Sequence, residues 1–247
     1  MIKIKIIADT HCHAVGSCHA YSTIMENVSE AKAKGLYAIA ITDHARTMPS
    51  PPGTWYFENF RIVPNEIKGV KVLRGVEANL LGPEGNLDIP FLRDKPDFNW
   101  VIASIHKPAF KGPSDIDSCT QAWLNVAKNP AVNVIGHSGS PDFMYDYEKV
   151  IPEFKKHNKL VEINNNSFLI REGSKINCKR IAELCKKYEA FIVVNSDAHF
   201  CTKVGCVEEA LQMLDEINFP EELVVNSSLE RFEKYLRENT NFFQTYS

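Results

Sequence analysis

Seven of the eight histidines, together with Glu77 and Asp197, fall where they can gather at one point. His11, His13, His44, His106, His137 and His199 each stand at or just beyond the C-terminal end of a Val/Ile-rich run. Glu77 follows the run that ends in Val76, and His19 lies in the loop after the first run. Along an extended segment residues i and i+2 share a side, so His11 and His13 project together and Asp197 and His199 do likewise; each pair can grip one ion. A lone histidine at a strand end is more often bonded to a carbonyl than to a metal. Seven on one rim, accompanied by two carboxylates, are not explained by independent structural roles and point to a metal centre. Imidazole with carboxylate suits Zn, Mn or Fe, whereas Mg or Ca would call for an all-oxygen shell. Two ions use about six to eight protein ligands if positions stay open for water and substrate, so two or three ions are implied, with Glu77 suited to bridging.

Three other acidic or nucleophilic residues and one histidine have more ordinary readings. Cys12, between two putative ligands in sequence, alternates to the opposite face of its strand and reads as core packing rather than a nucleophile. Asp9 and Asp43 either orient imidazoles or cap turns. His157, at a helix end in Phe154-Lys155-Lys156-His157, suits a C-terminal dipole partner and serves as an internal control.

The elements that must position these residues alternate. Apolar runs at 2–8, 38–42, 70–76, 100–105, 132–135, 160–163 and 191–194 read as strands buried on both faces. Amphipathic stretches at 23–34, 118–128, 147–157, 174–188 and 204–217 read as helices, which predicts parallel βα units. Ser22 fits the N-cap of the first helix and Gly35 its glycine stop. The tail predicts a turn of helix at Pro220, a short last strand at 223–225 and a closing helix at 228–238. Residues 46–64 and 82–97, rich in proline, read as long functional loops. The expectation is an α/β fold in one domain over 1–247, a barrel of the TIM kind, with an open doubly wound sheet as the alternative. Strand ends on one rim are where barrel active sites are built.

Composition excludes several classes. Hydrophobic content of 44%, charged content of 24% and a net charge of -3 suit a globular chain with a real core. Lys and Arg are dispersed, so no footprint for nucleic acid is present. No apolar stretch approaches the roughly 18 residues of a membrane span, and the start lacks the features of a signal peptide, so a cytoplasmic protein with no membrane partner is expected. Seven cysteines, an odd number with no C-x-x-C, read as reduced thiols. No Walker or dinucleotide-binding glycine motif occurs.

Asp9-Thr10-His11-Cys12-His13, Thr42-Asp43-His44, Gly75-Val76-Glu77, His106, His137 and Ser196-Asp197-Ala198-His199 resemble the ordered motifs of the polymerase and histidinol phosphatase (PHP) domain family. His19-Ala20-Tyr21-Ser22, Glu162-Ile163-Asn164-Asn165 and Ser167-Phe168-Leu169 look like its YcdX-like bacterial phosphatases, and the likeness spans nearly the whole chain. The resemblance implies a distorted (βα)7 TIM-like barrel, a trinuclear site usually holding zinc, and a trimer. It also implies that His11 and His13 bind a first metal with Glu77 and Asp197, that His19, His44 and His199 bind a second, and that Glu77 bridges to a third completed by His106 and His137. Ser138, Lys107 and Asn166 depart from the family pattern, where proline, an acidic residue and serine are expected. Lys107 adds a positive charge beside His106 and bears on substrate preference, and Arg46 and Arg61, on the loop after His44, are candidate phosphate-binding residues.

The chemistry expected of such a site is hydrolysis of small phosphate monoesters. Phosphoryl transfer asks mainly for positioning and neutralised charge, and a metal-bridging hydroxide supplies the nucleophile without help from a protein side chain. The rival readings are a histidinol-phosphate phosphatase and a non-catalytic metal-binding regulatory module. The loops that select a substrate carry no readable code.

Overall fold

The computed structural model describes residues 4–89 and 98–244 of the chain. Among them seven strands run parallel in the order β1 (Ala8–Cys12), β2 (Ala38–Ile41), β4 (Val70–Asn79), β5 (Trp100–Ser104), β6 (Val134–Ile135), β7 (Leu160–Asn164) and β8 (Ile192–Asn195). A short β3 (Glu66–Ile67) pairs antiparallel with β4. The helices are α1 (Ile24–Ala33), α2 (Thr54–Glu58), α3 (Ile116–Ala127), α4 (Tyr147–Lys156), α5 (Ser167–Ile170), α6 (Ser174–Tyr188), α7 (Glu208–Glu216) and α8 (Leu229–Asn239). None is long and apolar enough to cross a membrane.

The sheet curls until β1 meets β8, which excludes the open doubly wound alternative and gives the (βα)7 TIM-like barrel. The seam is made by individual bonds. His13 N donates to Ala198 O at 2.8 Å, and Thr10 N and Oγ1 donate to Asn195 Oδ1 at 2.8 and 2.9 Å. Lower down, buried Asn226 stands in for a strand: Nδ2 donates to Ala8 O at 2.8 Å and Val194 O at 2.7 Å, and Oδ1 accepts from Val194 N at 3.0 Å. The strand expected at 223–225 is therefore replaced by the 3-10 turns Glu221–Leu223 and Val225–Ser227, with one isolated bridge from Val224 to Ile192.

Inward positions of alternate residues fill the barrel. Ala8, Ala38 and Ala40 are small enough to admit Trp100, whose ring meets Phe232 and Tyr235 of α8 edge-on at 6.2 and 6.0 Å. Helix α8 thus caps the N-terminal end, and the C-terminal mouth is left for polar side chains.

Several boundaries differ from the sequence reading. The first strand occupies Ala8–Cys12 rather than 2–8, because a ladder starts only where β2 offers a partner, Ala8 opposite Ala38; residues 1–3 of that expectation lie outside the described residues. Helix α1 is capped by Thr23 in a capping box with Glu26, not by Ser22, whose Oγ accepts from Cys201 N at 2.8 Å. Gly35 ends it with φ +72°, as expected. Helix α7 starts at Glu208 rather than 204, because Gly205 at φ +72° breaks the chain there. The loop expected at 46–64 contains α2 and the turn Phe60–Ile62, anchored by buried Phe57 and Phe60. Of the loop expected at 82–97, residues 90–97 lie outside the described residues.

Candidate metal centre

Strand parity explains how the barrel delivers its ligands. On β2 the inward set is Ala38, Ala40 and then His44 beyond the end; on β4 it is Leu73, Gly75 and Glu77; on β5 it is Trp100, Ile102 and then His106. Strand β1 would present Ala8, Thr10 and Cys12 by the same rule. A register shift between Asp9 and Cys12 adds one residue against β2, so His11 and His13 turn inward and Cys12 turns into the layer under the helices. At His137 and Asp197 the backbone itself makes the turn, with φ of +25° and +54° in the region that side chains rarely adopt. Two non-glycine residues held there at one rim mark a site where the surrounding fold outweighs about 1–3 kcal/mol of strain each.

The nine residues converge. Asp197 Oδ1 lies 3.6 Å from His11 Nε2 and 3.2 Å from His13 Nε2, and Glu77 Oε2 lies 3.5 and 3.6 Å from the same two nitrogens. His19 Nε2 is 3.3 Å from His44 Nε2 and 3.0 Å from His199 Nε2. On the other side Glu77 Oε1 is 2.9 Å from His137 Nε2 and 3.5 Å from His106 Nε2, with those imidazoles 3.1 Å apart. His44 faces two of these groups, since its Nδ1 lies 2.7 Å from Glu77 Oε2. Glu77 reaches both sides with different oxygens.

Four of the converging atoms, His11 Nε2, His13 Nε2, His44 Nδ1 and Glu77 Oε2, are buried without a hydrogen-bond partner. Such atoms are rare in folded proteins because each forfeits its solvation. They belong to neighbouring candidate ligand groups, His11 and His13 with Asp197 in one and His44 and Glu77 with His106 in another, where bound cations would satisfy them. Geometry and donor chemistry therefore fit a metal of the zinc type.

The second nitrogen of three imidazoles is held from behind. His11 Nδ1 donates to Glu162 Oε1 at 2.7 Å. His13 Nδ1 is 3.1 Å from Ser17 Oγ; that hydroxyl donates to Asp43 Oδ1 at 2.7 Å, so it accepts from the ring. His106 Nδ1 donates to Asn79 Oδ1 at 2.7 Å, and Asn79 Nδ2 donates to Asp88 Oδ2 at 2.7 Å. In each case the neutral ring presents the lone pair of its other nitrogen to the centre. Asp43 thus orients an imidazole through Ser17, and Tyr56 of α2 donates to it from the loop above. Asp9 does not share this role: it accepts from Ser196 and Gly205 N and holds the turn behind Asp197.

Charges follow the same design. Burial pushes Glu77 and Asp197 up, but the surrounding imidazoles, His106, His11 and His44 for the first and His11, His13 and His199 for the second, hold both well below the usual carboxylate range. Burial, then His44 and His199, pushes His13 and His19 down. Burial also lowers His106, against the pull of Glu77. His11 is the exception: burial lowers it, yet Glu162, Asp197 and Glu77 together hold it well above the ordinary value.

Lys107 pairs with Asp142 at 2.9 Å, Arg46 donates to Thr54 Oγ1, and Arg61 is exposed on the turn Phe60–Ile62. His157 caps α4 beside Glu153, 3.5 Å away, remote from the cluster. Two residues were missed. Glu162 is a carboxylate within a strand buried on both faces, a pattern that by itself signals a hidden partner. Arg171, on the turn joining α5 to α6, donates from Nη1 to Ser167 Oγ at 2.6 Å, and its charge is near enough to push His106 down. Among the described residues no carboxylate pairs with it.

Comparison with known proteins agrees with this architecture. A probable phosphatase of Caldanaerobacter subterraneus is 44% identical over 238 residues, 96% of this chain and 93% of that one. A probable phosphatase of Clostridium botulinum is 43% identical, covering 95% of this chain and 96% of its own. Among solved structures, a histidinol phosphate phosphatase from Lactococcus lactis, complexed with Zn, L-histidinol and phosphate, shares the fold with a TM-score of 0.64 at 19% identity, over 86% of this chain and 94% of that one. The PHP domain model matches residues 9–246, and the chain belongs to the PHP domain family.

Proposed function

We propose that the rim cluster holds three divalent ions, zinc foremost, and that one barrel domain spanning the chain uses them to hydrolyse small phosphate monoesters. The observation that carries this reading is the set of four buried, unpartnered ligand atoms inside a ring of nine donors. The phosphatase names of relatives more than 40% identical across the chain support the reaction class. The first ion would take His11, His13, Glu77 and Asp197, the second His19, His44 and His199, and the third Glu77, His106 and His137. When bound, the ions acidify water and neutralise phosphoryl oxygens.

The chain's own residues supply the rest. Glu162, Ser17 and Asn79 fix which imidazole nitrogen faces the centre. Arg171, which pairs with no carboxylate among the described residues, offers a planar fork to phosphoryl oxygens at the mouth. Cys12 takes no part, since it is fully buried and desolvation pushes its thiol well up.

The test is phosphate release from a simple monoester by zinc-loaded protein and two variants. Asp197→Ala should lose about a thousandfold or more in kcat/KM. Arg171→Ala should raise KM about tenfold while retaining metal, the cost of one charge-assisted contact of about 1.4 kcal/mol. Full activity in Asp197→Ala would contradict the reading.

A further inference from the structure

Three adjacent rim segments turn a large apolar side chain outward beside the metal ligands. Tyr21, after β1, is 73% exposed; Leu169, on α5 after β7, is 63% exposed; Phe200, after β8, is 48% exposed. They help line a cleft of about 520 Å³ that they share with the rim residues Asp197 and His199, with Asn165 and with the charged Lys203 and Glu209. On the same short helix Phe168 packs against the core while Leu169 faces the cleft, so exposure here is not a lack of core to join. Isolated exposed apolar side chains are ordinary; three around one concavity at a reactive centre are not. The volume is far more than a phosphoryl group needs and lies within the roughly 300–1,000 Å³ of small-molecule pockets, too confined for a protein partner.

We infer that this cleft receives the leaving group of the phosphate monoester, and that the ester preferred by this chain carries a ring or a comparably broad apolar face. The inference rests on the phosphatase reading above. Hydrolysis breaks the bond between phosphorus and the ester oxygen and forms one between phosphorus and the water oxygen. The departing alcohol takes up the proton that the water gives up. That alcohol is the part the cleft must hold and release.

Two primary alkyl esters of similar intrinsic reactivity, 2-phenylethyl phosphate and ethyl phosphate, separate apolar recognition from leaving-group chemistry. With zinc-loaded protein kcat/KM should favour the phenylethyl ester by at least about tenfold, the scale of burying a ring. Phe200→Ala and Leu169→Ala should each lower that ratio by about three- to tenfold, chiefly through KM. A ratio near unity in the unaltered protein, or variants that slow both esters by the same factor, would overturn the inference while leaving the phosphatase reading intact. A changed sedimentation mass in the variants with an unchanged ratio would assign these side chains to a contact between copies and would also overturn it. If neither ester were cleaved by metal-loaded protein, the phosphatase reading itself would fall, and this inference with it.

Discussion

Replacing Glu162 with glutamine keeps the size of the side chain and turns one acceptor into a donor at a point where four donors converge. Glu162 is buried and receives four hydrogen bonds: His11 Nδ1 at 2.7 Å and Asn195 Nδ2 at 2.9 Å on Oε1, His137 N at 2.7 Å and Asn164 Nδ2 at 3.1 Å on Oε2. A glutamine offers oxygen to one pair and an amino group to the other, so two donors face a donor whichever way the amide turns. Asn164 cannot turn to relieve this, because its Oδ1 already accepts from Ser167 N at 2.9 Å and Oγ at 3.0 Å. Two lost charge-assisted bonds at about 1.5–3 kcal/mol each give a destabilisation of about 3–6 kcal/mol before relaxation. At about 2–4 °C per kcal/mol for a chain of this size, the melting temperature should fall by roughly 6–24 °C. Part of the loss falls on the metal, since His11 and His137 lose their support, and an outer-shell change of this kind weakens binding about 10- to 100-fold. Chelator competition against bound zinc, read with thermal unfolding of both forms, measures the two effects. A Glu162→Gln protein that melts like the wild type and binds zinc within about twofold of it would refute this account of how the ligands are held.

Asn226→Ala removes three seam bonds and leaves Val194 N, Val194 O and Ala8 O buried without that partner, so denaturant unfolding should show a loss of about 3–5 kcal/mol; a change below about 1 kcal/mol would mean that the seam closes without it. Glu162, Asp197 and Glu77 outweigh burial at His11 and hold the proton on its second ring nitrogen to higher pH than an ordinary imidazole keeps it, so a metal must compete with that proton. Metal binding needs that nitrogen free, so affinity should rise with pH up to the raised pKa and level off beyond it. Calorimetry in buffers of different ionisation enthalpy should register the released proton, and affinity independent of pH would contradict the assignment. His157→Ala, which loses a half-buried pairing with Glu153 at 3.5 Å, should leave metal content unchanged and shift stability by less than about 1 kcal/mol.

The histidines were legible because alternation is local: once a strand's end is known, the inward side chain at the rim follows. The bulge in β1 was not, since it arises from pairing with β2, and without it the parity of Ala8 would turn His11 away from the centre. The α1 cap is Thr23 rather than the expected Ser22, and Glu26, three residues beyond Thr23, completes the capping box that fixes it there. Asn226 replaces a strand by side-chain bonds that no periodicity records. Glu162 was visible as a charge in a buried run, but its partners lie 151 residues back at His11 and 33 ahead at Asn195. Lys107 and Arg46, picked out for charge and nearness in sequence, make contacts no local pattern records, Lys107 with Asp142 and Arg46 with Thr54.

The metal content of the purified, zinc-reconstituted protein tests the central claim most directly. Elemental analysis should give close to three zinc ions per chain, the number that ten ligand positions, with Glu77 counted twice, hold when sites stay open for water and substrate. Fewer than about two per chain in folded protein would contradict a multinuclear centre at this rim.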